Sequence, residues 1–263
     1  MISRAYIYEW QKSAPWKSNA QIEQDLVIER ALIELFSNDM IRENLAFRGG
    51  TALHKIFLKP QVRYSEDIDL VQIKPGPINP VMQEIKKALS FLGIKRNTKQ
   101  NLRMNTMVYR FDTEIAPVIN SRLKIEINCR EHDSVLGLKI VSHELKNSWF
   151  SGITEINSYE LEELLGTKLR ALYQRNKGRD LFDLYYSLIK QNPDCEKIIF
   201  CFRKYMELYN NGVLTAREIL DNLDQKMKDP DFIGDIKALI RPEITFDANQ
   251  AYELVKTEII ERI

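Results

Sequence analysis

The chain has 263 residues, of which 44% are hydrophobic and 29% charged, with 38 Lys and Arg against 37 Asp and Glu. This composition is ordinary for a water-soluble globular chain with a sizeable core, long enough for one large domain or two modest ones. A formal net charge of +1 excludes a protein driven onto nucleic acid or membrane by its overall field, so any such contact must come from a local basic patch.

In chain order, the opening stretch holds Pro15 and two exposed-looking tryptophans, Trp10 and Trp16, and lacks the apolar stretch of a signal peptide. Residues 19–36 read as a helix, because Ile22, Leu26, Ala31, Leu32, Leu35 and Phe36 recur mostly at steps of three and four. Residues 44–48 read as a short extended run that ends at Gly49 and Gly50. Residues 51–57 then read as a short helix stopped by Pro60. The alternation over 66–73 predicts a strand, ended by Pro75, Gly76, Pro77 and Pro80. A helix over 81–92 follows. Strands are predicted over 106–112 and 122–129, where Leu123, Ile125 and Ile127 alternate with Lys124, Glu126 and Asn128.

Helical spacing dominates after about residue 155. Asn157 and Glu160 have the spacing of a capping box ahead of Leu161, Leu164, Leu165, Lys168, Leu169 and Leu172. A second helix starts near Arg179 or Asp180, and more are expected over 195–209, 215–227, 231–240 and 247–262. The reading is an α+β chain, with a mixed α/β region over 1–150 and a helical region over 151–263.

Asp67 and Asp69 are two apart on a predicted strand, so both carboxylates point the same way. Two adjacent carboxylates repel unless a cation lies between them or one takes a proton. Magnesium, or manganese in its place, is the expected cation, and Glu126 is the best candidate for a third ligand from a neighbouring strand. Gly49 and Gly50 lead into a helix whose free N–H groups favour phosphate oxygens, and Thr51 adds a hydroxyl. The three cysteines (Cys129, Cys195, Cys201) and three histidines (His54, His132, His143) show no zinc-ligand spacing and read as ordinary residues of a cytoplasmic protein with reduced thiols. No apolar run reaches the roughly 18 residues that a membrane span needs.

The glycine pair followed by Ser65-Glu66-Asp67-Ile68-Asp69 resembles the signature of the polymerase-β-type nucleotidyltransferases. The closer resemblance is to the AbiEii-type toxins of type IV abortive-infection systems. It is carried by Arg48-Gly49-Gly50-Thr51-Ala52-Leu53 and by Arg63-Tyr64-Ser65-Glu66-Asp67-Ile68-Asp69-Leu70. Lys168-Leu169-Arg170-Ala171-Leu172, Arg175 and Arg179-Asp180-Leu181-Phe182-Asp183 add to it. The spacer between the glycine pair and Asp67 is longer than in standard polymerase-β relatives and fits the AbiEii subgroup.

The resemblance implies a nucleotidyltransferase-like mixed sheet flanked by helices, then a helical domain that completes the active-site cleft. It implies transfer of a nucleoside monophosphate from a nucleoside triphosphate to RNA, with the 3′ end of tRNA as first candidate, and an antitoxin encoded nearby. Asp67, Asp69, Lys168 and Asp180 are the catalytic candidates. Gly49, Gly50, Thr51, Ser65 and Lys168 are the expected nucleotide contacts, and Arg175, Arg179 and Asp183 the supporting residues. Transfer of AMP to protein, γ-phosphate transfer, and a non-catalytic nucleotide- or partner-binding module are the alternatives. Basic clusters at Lys95, Arg96, Lys99 and Arg103, and at Lys168, Arg170, Arg175, Lys177 and Arg179, are candidate tracks for an RNA backbone.

Overall fold

The computed structural model describes residues 2–209, 212 and 214–263. The chain divides into two units, Met1–Asp133 with Leu138–Tyr159, and Ser134–Gly137 with Glu160–Ile263. The first carries α1 (Arg4–Gln11), α2 (Asn19–Phe36), α3 (Asp39–Asn44), β1 (Leu45–Arg48) and α4 (Gly49–Ala52). A π-helical turn, Leu53–Phe57, continues α4. Then come β2 (Asp67–Gln72), α5 (Asn79–Ala88), β3 (Arg96–Lys99), β4 (Met104–Asp112), β5 (Asn120–Asn128), β6 (Leu138–Asn147) and β7 (Phe150–Tyr159).

The seven strands form one mixed sheet in the order β3-β4-β5-β2-β1-β7-β6. β2 runs parallel to β5, and β1 parallel to β7, while the remaining neighbours are antiparallel. On β5 the period of two is clean. Leu123, Ile125 and Ile127 are buried, and Lys124, Glu126 and Asn128 are half-buried on the other face. On β2, Ile68 and Leu70 are buried while Asp67 and Asp69 are half-buried.

α2 packs against β5, β6 and β7. It starts in a capping box, in which Ser18 Oγ accepts from the Gln21 amide and the Gln21 side chain accepts from the Ser18 amide, both at 3.2 Å. The helix is nearly buried all round, including Glu23, Gln24, Asp25 and Glu29. Burying such groups is tolerable only when each is partnered. Glu23 accepts from the Glu114 amide, and Gln24 accepts from the Tyr64 hydroxyl at 2.6 Å. Lys55 Nζ lies 2.8 Å from both Asp25 and Glu29, and His143 Nε2 lies 2.6 Å from Glu29.

Several readings of the sequence change here. Trp16 is buried, and Trp10 is half-buried with its indole N–H donating to Asp25 at 2.9 Å. Strands β3, β6 and β7 are additional to those predicted. β6 and β7 escape the period-two test because Ile140 and Ile153 are exposed apolar residues, which blurs the polarity pattern. Asn157 makes no capping box, since it lies in β7 with its amide donating to the Arg42 carbonyl at 2.6 Å.

The second unit is helical, with α6 (Leu161–Gln174), α7 (Gly178–Gln191), α8 (Cys195–Tyr209), α9 (Ala216–Lys226), α10 (Pro230–Gly234) and α11 (Ala248–Glu258). The helix expected over 231–240 is therefore confined to α10. α6 and α8 approach closely at Gly166, where a Cβ would meet Cys201 Cβ at 2.8 Å. Glu163 is fully buried and anchors the Ser134–Gly137 segment. Its carboxylate accepts from the Val135 and Leu136 amides at 2.7 and 2.9 Å, and from the Tyr205 hydroxyl at 2.7 Å. Among the described residues, no helix is long and apolar enough to cross a membrane.

Candidate active site

The first unit brings the glycine pair and the carboxylates together. Arg48 faces Asp69 across β1 and β2, Asp69 faces Glu126 across β2 and β5, and Asp67 faces Lys124 one step away. Residues in register share a face of the sheet, so Asp67, Asp69, Lys124 and Glu126 form one half-buried cluster.

Gly49 closes one side of it. Its φ of +81° is left-handed, and a Cβ at this position would lie 2.2 Å from Asp69 Oδ2. Only glycine fits both constraints. Gly50 follows in the first turn of α4.

Thr51 is buried, and its hydroxyl is already engaged. It lies 2.8 Å from Ser65 Oγ and donates to the Asp67 carbonyl. Thr51 and Ser65 therefore tie the start of α4 to the start of β2.

Lys124 Nζ lies 2.7 Å from Glu126 Oε2 and 3.4 Å from Asp67 Oδ2. Burial works against its charge, but Glu126 and Asp67 outweigh burial and hold its pKa above the ordinary lysine value. Asp67 Oδ1 is buried and has no hydrogen-bond partner. Arg48, an unforeseen partner here, lies 2.9 Å from Glu131. Its pKa is raised: burial opposes the charge, while Tyr159, Glu131 and Asp69 favour it.

Among the described residues, no three His, Cys, Asp or Glu side chains converge as a ready-made metal cage. Magnesium does not require one, since it commonly takes one or two carboxylates together with substrate phosphates and water. Asp67 and Asp69 supply such a pair, and the unpartnered Oδ1 of Asp67 is an acceptor that a cation would satisfy. Glu126 fits less directly, because Lys124 holds it.

The second unit carries the other conspicuous charges. Lys168 Nζ, on α6, lies 3.0 Å from Asp180 and 2.9 Å from Asp183, both on α7. All three side chains are 7% exposed or less, so the lysine is paired inside the unit and does not snorkel to its surface. Arg175 grips Asp180 with two bonds, Nε to Oδ2 at 2.6 Å and Nη2 to Oδ1 at 2.7 Å. Burial alone would raise the Asp180 carboxyl, but Lys168 and Arg175 hold it below the ordinary aspartate value.

Arg179 pairs with Asp235, its amide donating at 3.2 Å and its Nε lying 3.8 Å from the same carboxylate. Lys177 also lies near Asp235, and Arg170 stacks over Tyr205 and Tyr209. This basic cluster is thus engaged within its own unit. Lys226, which no motif marked, donates to the Tyr173 carbonyl at 2.7 Å, and burial lowers its pKa to about 8.

Comparison with known proteins gives the family and the fold. A family model described as nucleotidyl transferase AbiEii toxin, type IV TA system, matches residues 30–254. No curated protein matches the chain significantly. MenT4, a nucleotidyltransferase toxin from Mycobacterium tuberculosis H37Rv, has a similar fold at 15% identity and a TM-score of 0.65, covering 100% of this chain and 88% of that one. JHP933 from Helicobacter pylori is similar at 17% identity and a TM-score of 0.54, with 93% of each chain covered.

Proposed function

The chain belongs to the AbiEii nucleotidyltransferase toxin family of type IV toxin–antitoxin systems, and on that premise we propose that it moves a nucleoside monophosphate from a nucleoside triphosphate to an RNA acceptor at Asp67 and Asp69. The observation that carries this reading is the bare Cα of Gly49 against Asp69 Oδ2. That contact sets a backbone able to approach phosphate beside two carboxylates on one strand face.

In this reading Asp67 and Asp69 are the metal ligands, with Glu126 as an auxiliary one. A magnesium ion bound there would supply charge neutralisation at the α-phosphate and lower the pKa of the attacking hydroxyl. The Gly49 and Gly50 backbone cradles the triphosphate, while Thr51 and Ser65 hold that backbone against β2. Lys168 and Asp180 are the second catalytic pair, braced by Arg175 and Asp183. Asp180 fixes the position of the Lys168 ammonium inside the second unit. The acceptor hydroxyl attacks the α-phosphorus in line, the bond to the bridging oxygen breaks, and pyrophosphate leaves.

An RNA acceptor is favoured by the cations on the carboxylate-bearing face. Lys99 faces Thr106, which faces Glu126, which faces Asp69, so one row crosses from β3 to the site. Arg110 and Arg122 face each other two rows further on along the same face, both exposed. Such a row complements a phosphate backbone, and the 3′ end of tRNA is the first acceptor to test. A cognate antitoxin follows from the family.

Incubation with α-labelled nucleotides, total RNA and lysate tests the reading. Label in RNA that is lost in Asp67→Ala supports it. Label confined to protein, or transferred only from γ-labelled ATP, overturns it.

A further inference from the structure

We infer that Lys124 is a built-in counter-cation for the carboxylate cluster, one that a divalent metal has to displace before it can complete its site through Glu126. Its ammonium bridges Glu126 at 2.7 Å and Asp67 at 3.4 Å. The position is set by register, since Lys124 stands opposite Asp67 on the neighbouring parallel strand and two residues before Glu126 on its own. Asp67 and Glu126 are therefore held close in the absence of metal at a repulsion cost that the lysine between them offsets.

The bridge is also specific in what it leaves open. It uses Oδ2 of Asp67, while Oδ1 stays buried and unpartnered. A metal can therefore begin to bind at Oδ1 and Asp69, but it completes the site through Glu126 only if the ammonium moves away. Two cations cannot share those oxygens at contact distance without strong repulsion. A displaced ammonium needs a new anion, and a triphosphate brought in with the metal provides one. Metal and nucleotide binding are then coupled, each favouring the other. Bare metal has to break the Lys124 bridge with nothing in return.

This inference rests on Asp67 and Asp69 being metal ligands. It is tested by manganese binding, read as free Mn²⁺ by electron paramagnetic resonance, on the full chain with and without a non-hydrolysable nucleoside triphosphate. Lys124→Met is expected to bind bare Mn²⁺ about two- to fivefold more tightly than the wild type, the scale of one partly exposed ion pair. It should also lose most of the enhancement that nucleotide gives the wild type. Lys124→Arg, which keeps the cation, should stay near wild-type affinity, and Lys124→Gln serves as a second neutral variant should the methionine perturb folding.

Unchanged or weaker binding of bare Mn²⁺ by both neutral variants, with the wild type binding normally, overturns the role of Lys124 and leaves the metal site standing. Absence of Mn²⁺ binding to every form, with or without nucleotide, overturns the metal reading and this inference with it.

Discussion

Gly49 and Asp69 are in contact distance of a kind that forbids a side chain on residue 49, because a Cβ there would lie 2.2 Å from Asp69 Oδ2. The contact joins the end of β1 to β2 and couples the backbone proposed to cradle phosphate to a proposed metal ligand. Gly49→Ala therefore has to push Asp69 aside and also hold a left-handed φ, which costs an L-residue about 1–2 kcal/mol. Nucleotide transfer should fall by roughly a hundredfold, the penalty for displacing a reacting group by about 1 Å. Thermal melting measured alongside should show a folded protein with a modestly lower Tm.

Asp67→Asn and Asp69→Asn remove charge without changing shape. Each should reduce transfer by roughly a thousandfold, as several kcal/mol of charge stabilisation is lost. Neither should lower stability much, since repulsion within the cluster is relieved. Label incorporation and urea midpoints on the same preparations check this, and an active Asp67→Asn protein would exclude the proposed site.

Lys168 has two separable roles. Lys168→Met leaves Asp180 and Asp183 facing one another in a buried setting, and stability should drop by about 3–5 kcal/mol, the usual consequence of breaking a buried pair. Asp180 keeps its two bonds to Arg175, while Asp183 loses its 2.9 Å contact with the ammonium. Adding Asp183→Asn should restore much of the urea midpoint but no transfer. Recovery of both together would make Lys168 purely structural.

The buried network behind α4 should be visible in acid. For Glu29, burial raises the pKa, but Lys55 and His143 outweigh it and bring the value to about 2, from an ordinary 4.5. A depressed carboxyl contributes stability that is present above its unfolded pKa and lost as pH falls through the folded one. The contribution should therefore decline between about pH 4.5 and about pH 2. Asp25, whose pKa burial raises, acts with the opposite sign. Comparing urea midpoints of wild type and Glu29→Gln across this range isolates Glu29, and the variant should show the shallower acid slope.

The sequence alone was enough to point to the proposed site. A period of two on β2 puts Asp67 and Asp69 on one face, a spacing of three puts Asp180 and Asp183 on one helical face, and a glycine pair between strand and helix marks the turn proposed to cradle phosphate. These are local patterns, and the family motifs rest on them. It also yielded α2 and α8 with their observed limits, because their apolar residues recur along single helices.

Only the tertiary structure decided who faces whom. Lys124 meets Asp67 through the register of two parallel strands whose sequences lie 57 residues apart. Lys55, 30 residues from Asp25, gives the charges of α2 their partner. Thr51 was legible as a hydroxyl near phosphate, yet its bond to Ser65 turns it into a brace for the loop. Spacing along a chain reveals which way a side chain points. Which opposite charge it finds there depends on strand register and helix packing, which are set by the burial of the whole core.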